Sequence, residues 1–414
     1  MTTTTRSRAA AGITLLIATS LALTACGTDT TGTTDKPAAK ENQSKPGTPA
    51  KPVTDPLVAT YEGGLYVLDG QSLEVAEDIP LAGFNRVNPA GDDRHVMLST
   101  ADGFRVLDAV GRRLTDTEFK GPKPGHVVRH ADRTVLFTDG TGQVTSFDPH
   151  DLAGGRPATT TYTSASPHHG VAVELKNGRL VSTLGTEEKR TGLVVLDKDR
   201  KEIARNEQCP GVHGEATAKG EGDVVVVGCE DGVLIYKDGA KGGAEGGAEG
   251  GTFTKVKSPT AYGRIGNQAG SDLSPIVLGD FKKDKDAELE RPRQVSLIDT
   301  TTGKLRLLDL GTSYTFRSLA RGPHGEGLVL GTDGGIHVID PEAGKVTRTI
   351  PVIGAWQEPL DWQQPRPALF VRDHTAYVTD PATKKIHAVD VETGKALASA
   401  ALPATPNEIS GVKH

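Results

Sequence analysis

One phrase recurs along the chain and limits what it can fold into. It consists of two or three apolar residues, an aspartate, a short turn that often holds glycine, and a second strand-like run. It reads YVLDGQSLEV, RVLDAVGRRL, TSFDPHDL, VVLDKDRKEI, LIYKDG, SLIDTTTGKL, HVIDPEAGKV and HAVDVETGKAL. The aspartates are Asp69, Asp108, Asp148, Asp197, Asp299, Asp340 and Asp390, with Lys237 in the equivalent place of the fifth copy. The commonest spacing is about 40 residues, the length of a four-strand repeat. The longest interval holds the insert GDFKKDKDAELERPR and part of GAKGGAEGGAEGG, a composition that reads as flexible loop.

Each phrase is preceded by another β-rich run and a Gly/Asp turn, as in TVLFTDGTGQVTSFD and GLVLGTDGGIHVID, which is a hairpin pattern. With a strand before and a strand after, each hairpin becomes a four-stranded unit. An all-β fold, a single β-propeller of eight blades, follows, with seven blades as the alternative. The first copy lacks a preceding inner strand. NEISGV near the C-terminus can supply it and close the ring. Fifty glycines and 25 prolines suit so many turns, and the absence of WD dipeptides sets the chain apart from WD-repeat arrays.

The propeller is expected over residues 57–414, and what precedes it reads as targeting sequence. Arg6 and Arg8, the apolar run AAAGITLLIATSLALTA and then Cys26 form a secretory signal over residues 1–25 rather than a spanning helix. LTAC resembles the lipobox of bacterial lipoproteins, and that likeness implies cleavage before Cys26 and lipidation of its thiol. The segment from Cys26 to Pro56 is a linker. Residues 27–55 have one β-branched apolar residue and no aromatic, too little to offset chain entropy, so a disordered leash is expected. Its r.m.s. reach is about 30 Å. The protein is therefore expected outside the cytoplasm, held to the cell membrane by lipid alone. A net charge of −6 without a basic cluster beyond the N-terminus argues against nucleic acid as a partner.

With Cys26 lipidated, Cys209 and Cys229 remain, an even pair that an oxidising compartment joins as a disulfide. Closing that loop adds about 3 kcal/mol of stability in the chain-entropy model.

Chemistry in a propeller collects at the channel, which the inner strands line. Aligning the units on Thr100, Thr138, Thr183, Cys229 and Thr332 locates these strands as FNRVN, GHVVRH, PHHGVAV, VHGEAT and TFRSLA. The channel candidates are Arg86, Asn88, His126, His168 or His169, His213 with Glu215, and Arg317. Three consecutive units thus present histidine at matched positions. Three neutral imidazoles suit Zn²⁺, completed by a carboxylate or water. Glu215, two residues beyond His213 in a strand, projects from the same face. His169 is preferred as ligand, leaving His168 on the opposite face to support the ligands or serve a second site. His130 is a further candidate for such a site. His95, which opens a second strand, reads as structural, with a place in such an additional site as the alternative. His324 reads as a turn residue, and His150, His337, His374, His387 and His414 as solvated.

Other chemistries lack their signatures. Asp284, Asp286 and Glu288 loosely suggest a calcium loop, but Leu289 stands where glycine is required. No G-x-S-x-G elbow, P-loop, dinucleotide fingerprint or C-x-x-C-H is present.

FNRVNPAGDDRHV, PHHGVAV and CPGVHGEA, within a secreted propeller, resemble the AztD-type zinc metallochaperones, and the resemblance runs from Leu57 to the C-terminus. It implies a histidine-lined zinc site, no catalysis, and transfer of zinc to the zinc-binding solute-binding protein of an ABC importer. On this reading His126, His169 and His213 bind Zn²⁺ in a monomer. One departure stands out. Some members carry a histidine-rich flexible segment that assists transfer, whereas residues 27–55 contain no histidine. Two rival readings are a lactonase-like propeller hydrolase with a channel metal and a non-catalytic interaction scaffold.

Overall fold

A computed structural model of the chain describes residues 53–239 and 250–412. The expected signal, Cys26 and nearly all of the leash lie outside the described residues. So does most of the GAKGGAEGGAEGG run.

The described residues form eight sheets whose main paths hold four strands each, every sheet a meander of antiparallel neighbours. This is an eight-bladed β-propeller, and the seven-blade alternative falls away. The first blade takes its inner strand, Ile409–Gly411, from the end of the chain and pairs it with Leu57–Tyr61 (Leu57 opposite Gly411, Ala59 opposite Ile409). That strand comes from the NEISGV segment, so the ring closes as expected. Closure leaves no blade without a neighbour, which removes the exposed end that an open repeat array would have to cap.

The strands follow from residue type. Second and third strands such as Val224–Cys229 and Asp231–Lys237 are runs of β-branched residues, and they are buried on both faces between neighbouring blades. Outer strands such as Val75–Pro80 and Lys345–Pro351 alternate or face water. The core lies between the blades. Phe137, Val194, Val195, Val225 and Tyr236 join the third, fourth and fifth blades in one apolar cluster. Tyr66, Leu68, Tyr377 and Ile386 seal the eighth blade to the first.

Several inner strands are shorter than their sequence motifs. In PHHGVAV only the last two residues belong to a strand, Ala172–Glu174, so the two histidines sit in the bend leading into it. The segment GDFKKDKDAELERPR joins the second and third strands of the sixth blade, Ile276–Gly279 and Gln294–Asp299. The described residues contain one short 3₁₀ turn, Pro149–Gly154, and no helix long and apolar enough to cross a membrane.

Candidate metal centre

His126 lies near the start of the inner strand Pro124–His130 of the third blade, and His213 opens the inner strand His213–Ala218 of the fifth. His169 stands in the bend before the inner strand of the fourth blade. These three starts point to the same end of the channel, so residues more than 40 positions apart meet. One ligand-capable nitrogen from each ring lies within 4.8 Å of the others. The Nε2 atoms of His169 and His213 are 3.0 Å apart. The rings of His126 and His169 are 5.1 Å apart between centroids.

The far ring nitrogens are held. His169 Nδ1–H donates to Asp139 Oδ2 at 2.5 Å, and His213 Nδ1–H donates to the Gly266 carbonyl at 2.5 Å. His126 Nδ1 faces Glu215 Oε2 at 3.4 Å. Fixing the proton on Nδ1 leaves the Nε2 lone pairs of His169 and His213 aimed at each other, an arrangement that a cation relieves. Two nitrogens on a tetrahedral zinc sit ~3.3 Å apart at ordinary Zn–N distances of about 2.0–2.1 Å, so the set fits zinc with little movement. Burial pushes the His213 pKa well below its ordinary value, and the neighbouring His126, Arg264 and His169 push it further. The imidazole is therefore kept neutral, the form that binds metal.

Local sequence explains how these rings are placed. Gly214 adopts a φ of +68° and forms a bulge, so the register shifts between His213 and Glu215. A side chain there would also press within 2.5 Å of the Gly266 carbonyl. Glu215 nonetheless lines the same cavity as the three histidines, as its spacing from His213 led us to expect. Its carboxylate backs His126 and does not join the three converging nitrogens. Gly125 lets Asp139 approach, because a Cβ on it would lie 2.1 Å from Asp139 Oδ1. The disulfide Cys209–Cys229 is present, with its Cα atoms 5.0 Å apart. It ties the lead-in to His213 onto the strand with which His213 pairs. Backbone bonds from the Cys209 and Gly211 N–H groups to Thr191 and Arg190 carbonyls hold the same lead-in to the fourth blade.

The rings open on a cavity of about 450 Å³ also lined by Arg86, Asn88, Arg264, Lys282, Phe316 and Trp362. On its other side Arg86 and Arg317 pair with Glu408 at 3.1 and 2.9 Å, and Arg366 pairs with Glu358 at 2.5 Å. All three guanidiniums lie over the Phe316 ring. One side of the channel mouth is thus an Arg–Glu–Phe cluster in which three guanidiniums share two carboxylates, and the other side carries the histidines.

The remaining sequence candidates lie elsewhere. His168 is buried, with Nδ1 on the Ser166 carbonyl, Nε2 on Thr183 Oγ1 and its ring against Phe137. His130 Nε2 pairs with Asp223 at 2.9 Å, and His95 Nδ1 pairs with Asp92 at 2.6 Å. Both occupy the opposite end of the blades. His337, expected to be solvated, is 6% exposed and paired with Asp333. Asp139 and the Gly266 carbonyl were not singled out from the sequence. Asp139 follows Thr138, the residue that marks the end of its second strand, and that position was the available signal.

No protein-family model matches the chain. It is 26% identical to the zinc chaperone AztD of Citrobacter koseri over 311 residues, which is 74% of this chain and 69% of that protein. The solved structure of apo AztD from Citrobacter koseri aligns at TM-score 0.72 and 21% identity, covering 86% of this chain and 96% of that one. The dihydro-heme d1 dehydrogenase NirN, in complex with DHE, aligns at TM-score 0.57 and 13% identity over 89% and 77% of the two chains, a likeness of fold alone. In sequence and in fold the chain is similar to the zinc chaperone AztD, a likeness that its PHHG and CPGVHGE segments led us to expect.

Proposed function

We propose that this protein is an extracytoplasmic zinc chaperone that holds zinc at His126, His169 and His213. It passes the ion to the zinc-binding solute-binding protein of an ABC importer. The convergence of the three rings, with Asp139 and Gly266 fixing two of them from behind, is the observation that carries this reading. Zinc is cargo here. Ligands on a rigid propeller are placed before the metal arrives, so affinity is not spent on ordering loops. His169 is the most open of the three, with 42% of its side chain exposed against 22% for His126. An incoming ligand therefore attacks from its side and displaces it first. Arg86, Arg264 and Lys282 around the mouth suit a partner that offers an acidic side chain for that exchange.

A catalytic role fits less well. Asp139 is engaged on His169 Nδ1, and Glu215 stands beside His126 Nδ1. The disulfide supports an oxidising compartment. Lipid anchoring through Cys26 and a monomeric state complete the proposal.

The test is transfer. Zinc-loaded protein is mixed with a candidate solute-binding protein and a competing chelator, and the zinc on each is followed. The expected result is passage to the partner without equilibration through the chelator. Zinc appearing on the chelator first, or no faster on the partner than from free zinc, would overturn the chaperone reading.

A further inference from the structure

The turns on the face opposite the histidine centre bring together three residues that no step of zinc delivery uses. His324 lies between the strands Leu319–Arg321 and Gly327–Leu330 of the seventh blade. His374 occupies the matching turn of the eighth, between Leu369–Arg372 and Thr375–Asp380, and Glu392 follows that blade's third strand, Lys385–Asp390. Glu392 Oε1 stands 2.6 Å from His324 Nε2 and 3.0 Å from His374 Nδ1. One ligand-capable atom from each residue lies within 4.8 Å of the other two. The imidazole rings are 5.7 Å apart.

The carboxylate is well placed to be shared. The Glu392 backbone N–H donates to Asp390 Oδ1 at 3.0 Å, and the Arg348 guanidinium donates to the carbonyls of Val391 and Glu392. The turn is therefore pinned from both sides. Glu326 adds a second carboxylate nearby, accepting the His324 backbone N–H at 3.0 Å. With neutral imidazoles, the two carboxylates outnumber the nearby Arg348 guanidinium and leave the cluster net negative, which favours a cation. Two histidines and a carboxylate, with open positions toward water, form a common donor set for zinc and its neighbours. Without metal, protons on the two rings fill the same gaps. Metal and proton therefore compete for one geometry.

We propose that His324, His374 and Glu392 form a second binding site for a divalent transition-metal ion, independent of the channel centre. It is the weaker of the two. Its ligands stand on turns and are exposed at 63%, 52% and 46% of their side-chain surface, so binding must order them.

The experiment is a zinc titration of the full chain by calorimetry, with cobalt absorption as a second readout. The His324→Ala/His374→Ala variant is expected to bind one equivalent fewer than the wild type. It should do so both in the natural background and alongside alanine at His126, His169 and His213. Glu392→Gln should weaken that equivalent ~10-fold or more. Thermal melting of the surface variants should match the wild type, since the residues are exposed. Unchanged stoichiometry in the His324→Ala/His374→Ala variant overturns the site in either background. The readout is a difference of one equivalent, so failure of the channel centre would not be mistaken for failure of this one.

Discussion

The two ends of the propeller channel use histidine in opposite ways. At one end His126, His169 and His213 bring nitrogens to a common point; Asp139 and a backbone carbonyl hold Nδ1 of His169 and His213, and Glu215 stands 3.4 Å from His126 Nδ1. At the other end His95 and His130 each press against a buried aspartate and face no second histidine. The difference shows that a channel histidine is not by itself a ligand. What makes a metal centre is several rings arriving together, each backed by a group that fixes its proton. A single ring on a buried carboxylate is a structural clamp, within one turn for His95 and between blades for His130.

The largest break in that comparison comes from the rings themselves. Replacing His126, His169 and His213 by alanine together should abolish the tight zinc equivalent, as measured by metal analysis after dialysis. His130→Ala should leave zinc stoichiometry alone and cost about 1–3 kcal/mol of stability, because Asp223 loses its buried partner. Tight zinc retained in the triple variant would refute the assignment of the centre.

Next in size is the covalent tie. Cys209→Ser with Cys229→Ser should lower stability to chemical denaturation by about 3 kcal/mol, and it should also weaken zinc binding by loosening the lead-in to His213. If zinc affinity survives unchanged, strand pairing alone positions that ring.

A finer cut separates the ligands from their supports. Asp139→Ala should reduce zinc affinity ~10- to 100-fold without changing stoichiometry, and Glu215→Gln should do less, given its longer 3.4 Å approach to His126. A larger loss at Glu215 than at Asp139 would make Glu215 a direct ligand. Competition against a chromophoric chelator reads both.

The smallest expected effect lies at the clamped end and depends on pH. Burial alone would raise the Asp223 carboxyl, but hydrogen bonds from His130 and the Lys176 N–H, with the charges behind them, hold it below its ordinary value. A carboxylate depressed in the fold stabilises above its unfolded pKa of about 3.9, and that contribution is lost as pH falls through the folded value. The thermal midpoint should therefore drop below about pH 4, and Asp223→Asn should flatten that drop. An identical acid profile in the variant would place the acid sensitivity elsewhere.

Much of this was legible in the chain. Hairpin phrases at a fixed period encode four-stranded units, and NEISGV was recognisable as the missing inner strand. The matched positions of His126, His169 and His213 were enough to bring them to one end. Their supports were harder to see. Asp139 is 30 residues from His169, and Gly266 is 53 from His213. Each contact runs between turns of different blades, for which strand periodicity says nothing. The bulge at Gly214 was hidden for a related reason: a glycine in a strand motif does not announce the sign of its φ. His324 read as a turn residue and His374 as solvated, and Glu392 was not singled out, because each turn read alone is polar.

While the structure settled eight blades over seven, the sequence by itself determined the repeating four-stranded unit, the closing strand, the disulfide partners and the end of the channel where three histidines gather. These are consequences of local hydrogen-bonding periodicity and of the two cysteines that lie within the propeller repeat. Which ring nitrogen faces the metal, which carboxylate stands behind it and which surface turns meet were decided only by the tertiary structure. Those contacts depend on how neighbouring blades pack and how their turns bend, and no stretch of chain shorter than several blades contains that information.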